Sequence, residues 1–351
     1  MTIDRTQTVG ARLESALDEF FTDRVRAAAT HGPEFEALWA RTAEHAGRGK
    51  LLRPLLFLDT VEAFDAAADP ATVDGLGVAL EVLHYAFLLH DDVIDGDLMR
   101  RHRPNLVGTL KALHPEPPAS AALHWGTSSA ILMGDMLLSA VVLCCGRLAL
   151  PADVRNRVLD LLEEAIGETV AGEHLDVGLS DGAIPPALET VMRMTAMKTA
   201  TYSFALPLRL AAALAGADAE ADQTLARAGR DLGFAFQVQD DLLSMVGDPA
   251  AHGKDAVSDL REGKETVLIS FLRATPHWDE VAVLFGDPRI TQADADRVRA
   301  AIEASGAREF AEDLVADRRR EAIRTVDQSS LPGPVRRVVA ECAERIEGRT
   351  V

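Results

Sequence analysis

The sequence is poor in cysteine, in aromatic residues and in positive charge, and each shortage excludes something. Its 351 residues include three cysteines, Cys144, Cys145 and Cys342. They have no metal-ligand spacing, and the adjacent pair does not readily bridge. A disulfide scaffold is excluded, and a reducing, cytoplasmic setting is expected. Aromatics are 5% of the chain, and alternating β-branched runs are almost absent, so a sheet protein is not expected. Lys and Arg total 36 against 55 Asp and Glu, a formal charge of −19. That balance argues against nucleic-acid binding, which needs a basic surface. It leaves room for a local basic pocket that takes a phosphorylated small molecule. Long apolar runs are missing too. The longest, Met136 to Gly146, holds 11 uncharged residues between Asp135 and Arg147. A membrane-spanning helix needs about 20, so this segment reads as a buried core helix and no transmembrane segment is expected. The N-terminus, MTIDRTQTVGARLESALDEFF, has no basic region followed by an apolar stretch, which argues against a signal peptide.

What is present is helical patterning. With 48% hydrophobic and 26% charged residues, the chain can bury a large core without disulfides. Over 11–29, Leu13, Ala16, Leu17, Phe20, Phe21 and Val25 share one face. Residues 76–90 are apolar nearly all round, as in a helix inside a helical core. Residues 155–180, 187–216, 221–246 and 308–328 are also helical in pattern. Pro70, Pro115–Pro118, Pro151 and Pro185–Pro186 punctuate them. HPEPPASAA (114–122) reads as a surface loop and DRRRE (317–321) as a solvated helix face. No linker or repeat divides the chain, so the expectation is one all-α domain over 1–351, with its motif-bearing core at about 47–270.

Two aspartate-rich stations carry the chemistry. The first is HDDVIDGDLMRRHRP, residues 90–104. Asp91 and Asp95 are four apart and share a helix face, so their mutual repulsion needs a cation nearby. Mg²⁺ is the natural candidate, a hard ion that takes carboxylate and phosphate oxygens. Asp92 and Asp97 add negative charge, and Arg100, Arg101 and Arg103 follow. Alone, this station reads equally as a surface salt-bridge network. The second is FQVQDDLLSMVGDPAAHGKDAVSDLREGKET, residues 236–266. It has the same layout, with Asp240 and Asp241 followed by Lys254, Arg261 and Lys264. An acidic cluster with a cationic cluster, used twice, suits a diphosphate held by metal ions. Two further segments are weaker. GRGKLLRP (47–54) sets Lys50 and Arg53 near a helix start, where anions are favoured. MKTATYSF (197–204) places Lys198 and Thr199 inside an apolar stretch, which points the lysine towards a polar cavity or, by snorkelling, to the surface.

Taken together, GKLLRP, LLHDDVIDGDLMRRHRP, MGDMLLS, AMKTA and FQVQDDLLSMVGDPAAHGKDAVSDLREGKETVL resemble, in that order, the trans-isoprenyl diphosphate synthase (polyprenyl synthetase) family. The resemblance runs from about Gly49 to Leu268. It implies an all-α isoprenoid synthase fold with a central cavity between helices, and a homodimer. It implies a prenyltransferase that joins isopentenyl diphosphate to an allylic diphosphate, using Mg²⁺, with three ions when substrate is bound. Carried over by position, Asp91, Asp95 and Asp240 would ligate Mg²⁺, supported by Asp92 and Asp241. Arg100, Lys198, Gln237, Lys254 and Lys264 would contact the allylic diphosphate. Lys50, Arg53, His84 and Arg101 would hold isopentenyl diphosphate. Thr199 and Gln237 would lie near the reacting carbon.

The chain departs from the family pattern at Ser244, in place of the third aspartate of the second station. It departs also at His102, in place of a glycine, and at Glu173, in place of the glutamine of a Gly-Gln pair, with Asp176 retained. Product length in the family is set one turn before the first aspartates, here Phe87 with Ala86 beside it and Leu83 a turn deeper. That pairing implies geranylgeranyl diphosphate, with farnesyl diphosphate as the alternative. Two rivals remain. In a class I terpene cyclase, Asp240, Ser244 and Asp248 would form the metal triad. In a non-catalytic subunit of a heteromeric synthase, the metal carboxylates would be missing.

Overall fold

The computed structural model describes residues 2–46, 49–100, 102–114, 118–246 and 256–347, with backbone alone over 2–9 and 256–258. Arg101, Lys254, Asp248 and Pro115 to Pro117 lie outside the described residues. The described chain is helical throughout except for one antiparallel ribbon of two short strands. It divides into two compact units. One comprises Met1–Asp160 with Ala213–Gly216, the other Leu161–Ala212 with Ala217–Val351.

The first unit holds α1 (Thr2–Ala28), α2 (Pro33–His45), α3 (Leu52–Ala63), α4 (Pro70–Ile94), β1 (Met99–Arg100), β2 (Arg103–Pro104), α5 (Leu106–Ala112) and α6 (Ala119–Arg147). α4 starts where Asp69 accepts a hydrogen bond from the Thr72 amide at 3.2 Å, with Pro70 in the first turn; a capped, proline-led start of this kind fixes the helix boundary. α4 is the core helix of this unit. Leu76, Leu80, Leu83, Ala86 and Leu89 are all at most 1% exposed, and the helix packs against α6, α3 and α1. Leu13, Leu17, Phe20 and Phe21 of α1 are buried as the amphipathic pattern requires.

The core reading of Met136–Gly146 needs correction. These residues are the end of a longer helix, α6, and only one of its faces is buried. Met133, Leu137, Val141 and Cys145 are covered, whereas Trp125, Leu132, Met136 and Leu143 are exposed by 48, 60, 43 and 53%. The sequence is apolar on both faces, so hydropathy gave no sign of which would be covered. Both α4 and α6 are long and apolar enough to cross a membrane by length and composition alone, a test that buried core helices also pass. The most apolar stretch of α4 is 72% buried inside the protein and that of α6 is 44% buried.

α7 (Ala152–Ser180) runs from the first unit into the second. The second unit continues with α8 (Leu188–Thr195), a π-helical segment (Ala196–Ala205), α9 (Leu206–Leu214) and α10 (Ala219–Val246). It ends with α11 (Ala256–Glu262), α12 (Val267–Arg273), α13 (Trp278–Val281), α14 (Gln292–Ser305), α15 (Ala307–Asp327) and α16 (Gly333–Glu347). The single helix expected over 187–216 is thus interrupted by wider π turns, which often mark functional positions. α10 is the core helix here and packs against the π segment and α15. Phe204 and Phe236 meet across that contact at 5.2 Å. Arg209, buried in α9, is held by Glu164 at 2.7 Å and Asp222 at 3.1 Å.

Two smaller readings also change. The 114–122 loop ends at Pro118, because Ala119–Ala122 already form the first turn of α6. The 317–321 run is only partly solvated. Arg319 is folded inward and donates to the Ala343 carbonyl at 2.7 Å, and Arg318 pairs with Asp231 at 3.1 Å.

Candidate active site

The first station lies at the C-terminal end of α4. Asp91 and Asp92 occupy its last turn and Asp95 closes it, its amide donating to the Asp91 carbonyl at 2.9 Å. The chain then reverses through Gly96 into β1 and β2, a ribbon that returns Arg100 over the carboxylates. Arg100 donates from Nε to Asp92 at 3.0 Å and from one terminal nitrogen to Asp92 at 2.7 Å and Asp91 at 3.0 Å. Burial pushes the Asp92 carboxyl up to about 6, although Arg100 and a hydrogen bond from Asn105 pull it down. Burial lowers Arg100, but Asp92 and Asp91 outweigh it and its net shift is upward. This is an excess of negative charge at a partly buried helix end, from oxygen donors only. That donor set suits Mg²⁺.

Phe87, four residues before Asp91, is half-buried on the same side of α4 as His84 and Asp91. Ala86 and Leu83 are fully buried. In the GKLLRP segment, Lys50 is exposed and Arg53 lies in the first turn of α3, half-buried. Leu51 between them is the buried cap residue of α3 and has a left-handed backbone, φ 50°. A non-glycine residue there is strained, and such strain often accompanies function.

One pair was not singled out from sequence. His90 Nε2 lies 3.2 Å from Asp135 of α6, and the ring rests directly on Gly134, where a Cβ would come within 2.4 Å of it. The station and the MGDMLLS segment are therefore packed together. Both segments carry family signal, and their contact is the part that sequence spacing did not reveal.

In the second unit Thr199, Gln237 and Asp241 form one hydrogen-bonded chain, and Lys198 has a separate pair of partners on α7. Thr199 donates its hydroxyl to Oε1 of Gln237 at 3.0 Å, and Nε2 of Gln237 donates to Asp241 at 3.0 Å. Lys198 donates to Asp176 at 2.6 Å and pairs with Glu173 at 2.9 Å, both on α7. It therefore points into a polar environment and does not snorkel; its side chain is 17% exposed. Asp240 and Asp241 are half-buried on α10. Ser244, a turn later, is turned back on its own helix, donating to the Asp240 carbonyl at 3.1 Å. Lys264 follows Gly263 at the end of α11, its amide donating to the Asp259 carbonyl at 3.0 Å.

Comparison with known proteins decides the family. The polyprenyl synthetase family matches residues 37–303. The chain belongs to the polyprenyl synthetase family. It is 33% identical over 302 residues to a (2E,6E)-farnesyl diphosphate synthase of Mycobacterium bovis, covering 84% of this chain and 77% of the relative. It is 30% identical over 299 residues to a geranylgeranyl diphosphate synthase of Mycobacterium tuberculosis, covering 84% and 78%. Its fold matches a geranylgeranyl pyrophosphate synthase of Corynebacterium glutamicum, solved with isoprenyl diphosphate and magnesium. That match has a TM-score of 0.87, 28% identity and 98% of both chains covered. The expected all-α isoprenoid synthase fold is therefore the observed one, and this member of the polyprenyl synthetase family is a trans-prenyltransferase.

Proposed function

We propose that the chain elongates an allylic diphosphate with isopentenyl diphosphate to a linear product, geranylgeranyl diphosphate, as a homodimer, and that both aspartate stations serve that reaction. The observation that carries elongation is the hydrogen-bonded set Lys198–Asp176 and Thr199–Gln237–Asp241. It supplies fixed donors and dipoles for a departing diphosphate and a developing cation, with no side-chain nucleophile. The Ser244 hydroxyl, bonded back to the α10 backbone, speaks against the cyclase triad. The full set Asp91, Asp92, Asp95, Asp240 and Asp241 speaks against a non-catalytic subunit.

Asp91, Asp95 and Asp240 would hold Mg²⁺, with Asp92 and Asp241 behind them. Bound Mg²⁺ neutralises diphosphate and makes it a leaving group. Arg100, Lys198, Lys254 and Lys264 bind the allylic diphosphate oxygens and stabilise the charge left on them as the C–O bond breaks. Lys50, Arg53, His84 and Arg101 hold isopentenyl diphosphate so that its double bond attacks the allylic carbon in line. The Thr199 hydroxyl and Gln237 amide face the positive charge. The addition leaves a cation on the former isopentenyl unit; the carbon beside it loses a proton to the departed diphosphate, and the freed electron pair forms the new double bond. Apolar walls keep water from the cation.

Phe87, half-buried one turn before Asp91, supports a floor that stops growth at twenty carbons; fifteen is the alternative. The family match over 37–303 spans both compact units, which supports one functional domain. The exposed stripe Trp125, Leu132, Met136 and Leu143 on α6 supports a second copy of this chain as the partner, since an exposed apolar stripe marks a protein contact and two-fold dimers are the commonest assembly. The test is purified protein with Mg²⁺, isopentenyl diphosphate and dimethylallyl, geranyl or farnesyl diphosphate in turn, read by mass spectrometry after sizing by light scattering. Twice the monomer mass and a twenty-carbon linear diphosphate are expected. Cyclic hydrocarbon, or no product, overturns the reading.

A further inference from the structure

Lys198, in the second unit, is engaged by two carboxylates of α7. Its ammonium is shared between Asp176 Oδ2 at 2.6 Å and Glu173 Oε2 at 2.9 Å, with side-chain exposures of 7% and 20% for the two acids. The backbone allows no slack at this point. α7 touches the π segment at Gly172, where a Cβ would lie 2.3 Å from the Lys198 amide nitrogen. The other Asp176 oxygen is buried with no hydrogen-bond partner among the described residues. Asp176 also acts on Glu265, which is paired with Arg273 at 3.2 Å. Among the described residues, Glu173 and Asp176 thus both hold Lys198, and Asp176 also lies close enough to the Glu265–Arg273 pair to act on it.

We infer that Glu173 weakens the grip of the chain on the allylic diphosphate by competing with it for the ammonium of Lys198. Asp176 alone already orients the lysine and balances its charge. Glu173 adds a second anion to the same ammonium, and an incoming diphosphate must displace it or share with it, against like-charge repulsion. The uncharged isostere, glutamine, would keep the packing and remove the competitor. Glu173 is a positioning residue, acting through Lys198, and it sets how readily substrate and the pyrophosphate by-product leave. The inference rests on the reading that Lys198 contacts the allylic diphosphate.

The test is Glu173→Gln, with Mg²⁺ and inorganic pyrophosphate as the probe in isothermal titration calorimetry, beside steady-state kinetics. The expected result is pyrophosphate binding about tenfold tighter, or about 1.4 kcal/mol. KM for the allylic diphosphate falls in parallel and KM for isopentenyl diphosphate does not move. Glu173→Asp, which keeps the charge, stays near wild type. In a Lys198→Met background the Glu173→Gln gain disappears. Unchanged or weaker pyrophosphate binding in Glu173→Gln overturns the inference, and so does an equal gain with Lys198 absent. Should Glu173→Gln fail to fold, Glu173→Ala is read in its place with the same two outcomes. Because pyrophosphate binding is read without turnover, a wild type that makes no elongated product defeats the proposed reaction and still leaves the binding shift to decide the role of Glu173.

Discussion

Thr199 and Gln237 are joined by a 3.0 Å hydrogen bond in which the threonine hydroxyl donates to the amide oxygen, so the amide nitrogen is turned to Asp241. The orientation of Gln237 is thereby fixed from both ends. Its dipole presents oxygen towards the π segment and nitrogen towards the second aspartate station. Gln237→Ala is expected to lower kcat about 10²-fold, on the scale of losing one preorganised polar group. Thr199→Val, which frees the amide but leaves it in place, should cost about tenfold. Steady-state kinetics with the allylic partner saturating checks both. A change confined to KM would assign the pair to binding alone.

Phe87 and Asp91 are one helical turn apart on α4, and Leu83 is fully buried a further turn on. Phe87→Ala removes bulk from that side and is expected to lengthen the product by one or more five-carbon units, read by mass spectrometry. An unchanged product would remove Phe87 as the limit to growth.

His102 has φ 60°, a left-handed backbone between β1 and β2. Side chains pay about 1–2 kcal/mol for that conformation, part of which glycine gives back as unfolded-state entropy. His102→Gly is therefore expected to raise stability by about 0.5–1 kcal/mol, a small rise in Tm by thermal denaturation. His102→Ala keeps the strain and should give no gain. A lower Tm for the glycine variant would show that the imidazole contributes more than the strain costs.

Cys145 is 1% exposed, and burial, with a smaller contribution from Cys144, pushes its thiol up to about 12. A raised thiol pKa means the nucleophilic thiolate is absent at and below pH 8. Cys342 is also buried, whereas Cys144 is half-exposed beside Arg24, whose guanidinium is 3.3 Å from its sulfur. Iodoacetamide at pH 8 should label the folded chain at Cys144 alone, by peptide mass spectrometry. Labelling of Cys145 at the same rate would contradict its burial.

The fold class and the carboxylate stations were legible in the sequence because both are local. A 3.6-residue apolar period is visible over a single helix, and Asp91 and Asp95 share a face by spacing alone. What escaped depends on non-local packing. Nothing in MKTATYSF announces π turns, since the pattern differs from an α-helix by one residue per turn. The outward face of α6 carries Trp125, Leu132, Met136 and Leu143 beside Asp135, so its apolar residues did not mark it as the uncovered one. The inward turn of Arg319 depends on where α16 ends. The His90–Asp135 contact joins residues 45 apart in sequence, on two different helices. Glu173 was visible as a departure, but its hold on Lys198 needed the close approach at Gly172.

The most direct test of the account is whether the two stations serve the same reaction step. Asp91→Asn and Asp240→Asn are measured singly and together for kcat in the elongation assay, with Mg²⁺ saturating. The account predicts that each single variant loses about 10²–10³-fold, and that the double variant is hardly worse than the poorer single one, as for groups that work as a unit. Losses that multiply in the double variant would show two independent sites and contradict it.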